Sequence, residues 1–185
     1  WYINEIKINN GDKITIKTDA IAKAKWIADT YTLTLDSNGG VLSVTQINVT
    51  YDGNYTNLPI PKKDGYTFNG WYINDTKINN GDVVKITSNQ TAKASWSKKT
   101  ITIKFDVSGG NTNVKPVSVT YDDKYKDLPV PQKEGYTFDG WYIGDKKINN
   151  GDKVVQTENE IAKASWSANE YTINYELNEG TQGTN

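Results

Sequence analysis

Asp52, Asp75 and Asp82 are the residues with which this chain would have to do acid–base work, because its 185 residues include no histidine and no cysteine. The usual general base and the thiol nucleophile are both missing. A carboxylate pair can divide acid and base roles inside a pocket, but these three stand beside asparagine and glycine, in Asp52-Gly53-Asn54, Asn74-Asp75 and Asn79-Asn80-Gly81-Asp82. Carboxylates in such settings are ordinarily solvated turn residues. No catalytic residue is assigned, and the chain reads as non-enzymatic. A second chemistry is cation binding through oxygen, by Asp36-Ser37-Asn38-Gly39-Gly40 or by residues 79–82. Neither has the alternating acidic ligands and distal glutamate of a calcium-binding hand, and turn formation explains both. No metal ligand and no cofactor site is assigned. A third is the stacking of sugars on tyrosine. Tyr55 and Tyr72 are the candidates, since a tyrosine can lie half-buried with its hydroxyl in water. Trp71 and Trp96 are expected in the core, which a small domain must build from its few large side chains. The glycosylation sequons at Asn48, Asn54, Asn74 and Asn89 are what a chain with 21 asparagines yields by chance.

These residues sit in a periodic frame. A shift of 70 residues brings Trp1, Trp71 and Trp141 into register, and likewise Trp26, Trp96 and Trp166, which together are all six tryptophans. Residues 31–100 and 101–170 agree at 38 of 70 positions. The reading is the C-terminal part of a truncated repeat at 1–30, complete repeats at 31–100 and 101–170, and the N-terminal strand of a further repeat at 171–185. Seventy residues exceeds the roughly 20–50 of solenoid units and suffices for a small independent core. Joints fall at the short polar stretches 97–100 and 167–170, which implies small domains strung in an elongated array.

Charge separates what recurs from what drifts. Residues 31–100 carry 7 Lys and 5 Asp/Glu, a net of +2, whereas 101–170 carry 9 and 11, a net of −2. A shared site for nucleic acid would keep its basic patch from one unit to the next, so nucleic acid is excluded as a partner. No apolar run reaches the roughly 18 residues of a membrane span, so no membrane insertion is expected in this segment.

Within a repeat the pattern is mainly β. Tyr31, Leu33 and Leu35 alternate with polar residues, as do Ile101, Ile103 and Phe105, and Tyr171, Ile173 and Tyr175. Gly39-Gly40 ends the first strand, and Ile47, Val49 and Tyr51 form the second. Residues 52–59 are expected to make one helical turn, with Asp52 as its cap and Pro59 as its stop. The aromatic segment 66–73 predicts a strand in which Gly70 marks a bulge that turns Trp71 inward. Asn74-Asp75 suits a tight turn, and the Asn-Gly of residues 79–82 is a hairpin signal. Alternation of Ala92, Ala94 and Trp96 predicts a closing strand, and residues 20–28 are read the same way.

The blocks Asp36-x-x-Gly-Gly40, Pro61-x-x-x-Gly65-Tyr66-x-Phe68-x-Gly70-Trp71 and Ala24-Lys25-Trp26, with their copies at 106–110 and 131–141, resemble the internalin-B-type B repeat, also called the Listeria–Bacteroides repeat. Ala94-Ser95-Trp96 and Ala164-Ser165-Trp166 depart from the closing block at one residue, which should face solvent. The resemblance implies an α+β, β-grasp-like domain with a mixed sheet, carried in tandem on bacterial surface proteins. It implies an extracellular cell-envelope location, a stalk or adhesion role, and as partners neighbouring repeats and host or cell-wall components. It carries over no catalytic residues. The alternative function is a glycan-binding module using exposed tyrosines.

Overall fold

The computed structural model describes residues 1–111 and 113–176. It is built of strands: β1 Tyr2–Ile3, β2 Ile6–Lys7, β3 Thr30–Asp36, β4 Gln46–Thr50, β5 Tyr66–Ile73, β6 Thr76–Ile78, β7 Gln90–Lys98, β8 Thr100–Asp106, β9 Val117–Thr120, β10 Tyr136–Ile143, β11 Lys146–Ile148 and β12 Glu160–Ala168. Two five-stranded sheets have the equivalent orders β4-β3-β7-β5-β6 and β9-β8-β12-β10-β11, and β1 pairs with β2 alone. Each large sheet is mixed: β3 runs parallel to β7, and β8 to β12, while β3 with β4, β8 with β9 and β10 with β12 are antiparallel. The chain falls into two compact units, one of residues 1–62 and 68–95, the other of residues 63–67 and 96–176 within the described chain.

The alternation read from the sequence produces the core directly. Leu33 and Leu35 on β3, with Ala92 and Ala94 on β7, are buried, and the parallel register sets Leu35 beside Ala92. Ile101, Ile103, Ala162 and Ala164 repeat the arrangement in the second unit. Alanine on the closing strand leaves room for rings from β5 and β10. Each fully buried large aliphatic side chain, such as Leu33 or Ile103, contributes roughly 1.5–3 kcal/mol.

The bulge forms where glycine predicts it. Pairing of β10 with β12 shifts between Phe138 and Gly140, and Gly70 and Gly140 have φ of 138° and 145°, values that side chains rarely adopt. The shift brings Trp71 and Trp141 inward, each only 2 % exposed. Asn74-Asp75 and Gly144-Asp145 make the two-residue turns of β5–β6 and β10–β11.

Several expectations are corrected. No helix occurs among the described residues, so the chain is all-β there, and the helix that an α+β, β-grasp arrangement requires is missing. Residues 52–59 do not make a helical turn: Asp52 and Asn57 have φ of 59° and 55°. Their amides also look elsewhere, with Asp52 N–H donating to Val84, Tyr55 N–H to Asp82, and Val84 N–H back to Gly53. The Asn-Gly of residues 79–82 turns the chain without opening a hairpin, since the next pairing is a single bridge from Val83 to Asn54. Residues 20–28 form no strand beyond one bridge, Lys23 to Tyr2. Residues 171–176 are also not a strand, and Tyr171, Ile173 and Tyr175 are exposed. A strand needs a neighbour to take its amides, and nothing among the described residues stands beside 171–176 as β4 and β7 stand beside β3. The remainder of that expected element, 177–185, lies outside the described residues.

Candidate functional site

Tyr55 was one of the two sugar-stacking candidates, and the structure removes it. Its relative exposure is 3 %, and that of its copy Tyr125 is 1 %. The loop after Asp52 is strapped to residues 81–84 by backbone bonds, which carry the ring inward. The Tyr125 hydroxyl donates to Gln156 Oε1. Burial, then the Asp82 carboxylate, raises the pKa of Tyr55; burial, then Glu160 and Asp152, raises that of Tyr125. Tyr72 and Tyr142 are half-buried on β5 and β10. No groove gathers the tyrosine pair in either unit, because one member of each pair lies in the core.

Trp71 belongs to the core, as expected. Its indole donates to the Pro59 carbonyl at 2.7 Å, and Trp141 does the same to Pro129 at 2.7 Å, so each polar edge is satisfied. Phe68 meets Trp71 edge-on at 5.6 Å. In the second unit Phe138 lies between Trp141 and Trp166, at 5.3 and 5.4 Å, so both tryptophans share one aromatic cluster. Trp96 and Trp166 are half-buried. The Trp166 indole donates to Val107 O at 3.0 Å.

The carboxylates do not converge. Asp52 pairs with Lys85, and Asp82 accepts from the backbone and side-chain amides of Asn79 at 2.7 and 3.1 Å. Asp75 sits exposed in the β5–β6 turn. Asn149 and Asp152 repeat the Asn79–Asp82 bonds at 2.9 and 3.0 Å, and Asn9 and Asp12 do so at 2.7 and 3.2 Å. In Asp36-Ser37-Asn38-Gly39-Gly40, Asp36 accepts from Asn38 N–H at 2.8 Å and the Ser37 hydroxyl donates to Gly40 O at 2.6 Å. These oxygens already hold turn amides. Among the described residues no group of three or more histidine, cysteine or acidic side chains is placed to hold a metal ion.

Two pairs of asparagines were missed by sequence reasoning. Asn80 Oδ1 accepts from Leu58 N–H at 2.8 Å, and Asn150 Oδ1 from Leu128 N–H at 2.9 Å. Asn89 Oδ1 accepts from Thr32 N–H at 2.9 Å, and Asn159 Oδ1 from Thr102 N–H at 2.8 Å. Their signal was recurrence at 70 residues, for Asn89 and Asn159 inside an otherwise variable segment. Asn89, read as part of a chance sequon, is thus a latch on the first strand.

What recurs in the two sheets is a core, its turns and its latches, and this pattern has a known counterpart. The family model of the Listeria-Bacteroides repeat domain matches residues 31–94 and again residues 102–162. The chain belongs to this family. Among its relatives, an inferred membrane protein of Evansella cellulosilytica is 33 % identical over 162 residues, which cover 85 % of this chain and 24 % of that protein. An inferred Gly-rich membrane protein of the same organism is 29 % identical over 191 aligned positions, covering 98 % of this chain and 22 % of the relative. Internalin H of Listeria monocytogenes is 30 % identical over 148 residues, covering 76 % and 26 %. The chain thus spans about a quarter of the length of the relatives it matches. Membership accounts for the tandem repetition and for the Gly-Tyr-x-Phe-x-Gly-Trp block around the buried tryptophan.

Proposed function

We propose that this chain is a non-enzymatic repeat module of a bacterial cell-surface protein, extracellular in the cell envelope, which acts as a stalk or spacer for a neighbouring domain and contributes to adhesion by holding that domain outward. The observation that carries the reading is a contrast between two repeats in one chain. Core aromatics, turn carboxylates and asparagine latches coincide at 70 residues, whereas net charge moves from +2 to −2. Selection for a fold would retain the former and release the latter; selection for a shared ligand would also retain surface charge. The names of the relatives, two membrane proteins and an internalin, support a surface location. Glycan binding, the alternative, has lost Tyr55 and Tyr125 to the core and is left with Tyr72 and Tyr142.

On this reading the working units are residues 31–100 and 101–170, with parts of further repeats at 1–30 and 171–185, and the partners are neighbouring repeats and components of the wall or host surface. A 70-residue bead is about 28 Å across. Two beads arrayed end to end would span roughly 55–60 Å, and each added repeat adds length. Small-angle scattering on residues 31–170 tests this. A maximum dimension of about 45 Å would mean collapse into one globule and would remove the physical basis of the spacer.

A further inference from the structure

The hexapeptide Lys-Ile-Asn-Asn-Gly-Asp occurs at residues 7–12, 77–82 and 147–152 without a substitution. The three copies also share one local fold. Asp12, Asp82 and Asp152 each accept from the asparagine three residues back, and Gly11, Gly81 and Gly151 have φ of 88°, 95° and 93°. Asn-Gly is a dipeptide at which a chain readily attacks itself, because glycine has no Cβ to keep its amide from the preceding carboxamide. The glycine N–H gives its proton to hydroxide, the nitrogen bonds to asparagine Cγ, and the Cγ–Nδ2 bond breaks to release ammonia. Water from the solvent then opens the succinimide ring at either carbonyl and leaves aspartate or isoaspartate. Asn80, Gly81, Asn150 and Gly151 are all exposed, so water reaches them.

In residues 77–82 and 147–152 both reacting groups are already tied. The Gly81 amide, which must attack, donates to Tyr55 O at 2.8 Å, and that of Gly151 donates to Tyr125 O at 2.9 Å. The carboxamide under attack is held through its Oδ1, at Asn80 by Leu58 N–H at 2.8 Å and at Asn150 by Leu128 N–H at 2.9 Å. A bond to Oδ1 polarises the carbonyl and, taken alone, would help the attack. The bond from the glycine amide decides the balance. A nitrogen that keeps its proton on a carbonyl has no electron pair to give, and ring closure would also draw Cγ away from Leu58. Tyr55 and Tyr125 are buried, so the strap carrying their carbonyls opens only when those rings leave the core. Residues 7–12 have the same turn, but this chain holds no counterpart of Tyr55 or Leu58 for them.

We propose that Asn80-Gly81 and Asn150-Gly151 are deamidation sites gated by folding, silent while the strap is closed and reactive once it opens. The isoaspartate product adds a methylene to the backbone between residues 80 and 81 and moves the acceptor that held Leu58. The two bonds of the strap then no longer fit together, and a unit that has stood open carries a permanent mark. The inference goes beyond the stalk reading and does not depend on it.

The test follows the full chain in warm, mildly alkaline buffer, with and without guanidinium chloride. Conversion of each asparagine is read by mass spectrometry of chymotryptic peptides, which separate the three copies. In denaturant the three identical hexapeptides should convert at one common rate. In buffer Asn10 should keep that rate, while Asn80 and Asn150 slow by about tenfold or more. Trp141→Ala should release Asn150 in proportion to the fraction of its unit that a denaturant curve shows to be unfolded. Chains carrying isoaspartate at residue 80, returned to buffer, should melt at a lower Tm than unmodified ones. The inference is overturned if Asn80 and Asn150 convert in buffer as fast as in denaturant, or if Asn10 is slowed as much as they are, which would assign protection to the turn alone. An unchanged Tm after isoaspartate formation would overturn the permanent mark.

Discussion

Residues 1–12 and 71–82 are almost the same peptide, Trp-Tyr-Ile-Asn-Glu-Ile-Lys-Ile-Asn-Asn-Gly-Asp against Trp-Tyr-Ile-Asn-Asp-Thr-Lys-Ile-Asn-Asn-Gly-Asp, differing at two of twelve positions. Their local structure is also the same. Both form a short antiparallel hairpin, and both close with an asparagine amide on an aspartate carboxylate at 2.7 Å. Their tertiary setting is opposite: Trp71 is 2 % exposed, Trp1 67 %. The closing tryptophan behaves alike, half-buried at Trp96 and 90 % exposed at Trp26. Turns and hairpins thus follow from short-range chemistry, whereas burial of the tryptophan requires strands such as β3 and β4, of which residues 1–30 contain no copy. The tryptophan is the residue on which the two halves of a repeat depend.

Amide exchange should show the largest separation between these regions. Amides of β3, β7, β8 and β12 exchange only through unfolding of a unit, whereas those of residues 1–26 need lose only a two-strand hairpin. With the usual stability of a small domain, a difference of about a thousandfold or more in rate is expected. Equal protection in a monomer would break the comparison and the 70-residue boundaries with it.

Substitution of the tryptophans sharpens the same contrast. Trp141→Ala should cost roughly 3–5 kcal/mol, enough to unfold a marginal unit, because it empties the cluster of Phe105 and Phe138 and strands the Pro129 carbonyl. Trp1→Ala, a surface change, should fall within about 0.5 kcal/mol. Denaturant unfolding of each variant reads the difference, and comparable losses would show that Trp1 is buried in solution.

The comparison also explains which parts of the fold were legible in the sequence. Alternation in β3 and β8, the glycine bulge before Trp71 and the Asn-Asp turns are local patterns, and each was read at its position. The helical turn at 52–59 was misread because its spacing suits a helix, while the amides of Asp52 and Tyr55 are claimed by residues 82–84. Burial of Tyr55 was hidden for the same reason, since the loop that covers it lies some thirty residues away in the chain. Of the candidate site, the absence of histidine and cysteine and the turn role of the carboxylates were visible at once.

The asparagine latches offer a smaller test of the same division. Asn80→Ala leaves the Leu58 amide without its acceptor in a part-buried site and should cost about 1–3 kcal/mol. Asn10 occupies the equivalent position in residues 1–12, which include no copy of Leu58, so Asn10→Ala should be within about 0.5 kcal/mol of neutral. Thermal unfolding of the two variants measures this, and an Asn80→Ala protein of unchanged Tm would mean that water replaces the latch.

The smallest effect concerns acid stability and rests on Asp122. Hydrogen bonding from Lys153 is the main influence holding the Asp122 carboxyl below the ordinary aspartate value, against the opposing effect of desolvation, with the charges of Lys153 and Lys98 adding to the lowering. A carboxyl whose pKa is lowered in the folded state stabilises that state above its unfolded pKa, and the contribution disappears as pH falls through the folded value. The second unit should therefore lose a small increment of stability below the ordinary aspartate range, and Asp122→Asn should flatten that limb of its pH profile. About a third of the Asp122 side chain (32 %) meets solvent, so salt should weaken the effect further. Carboxyl titration followed by NMR supplies the direct check: if Asp122 titrated at the value of a free aspartate, Lys153 and Lys98 would not be gripping it in solution.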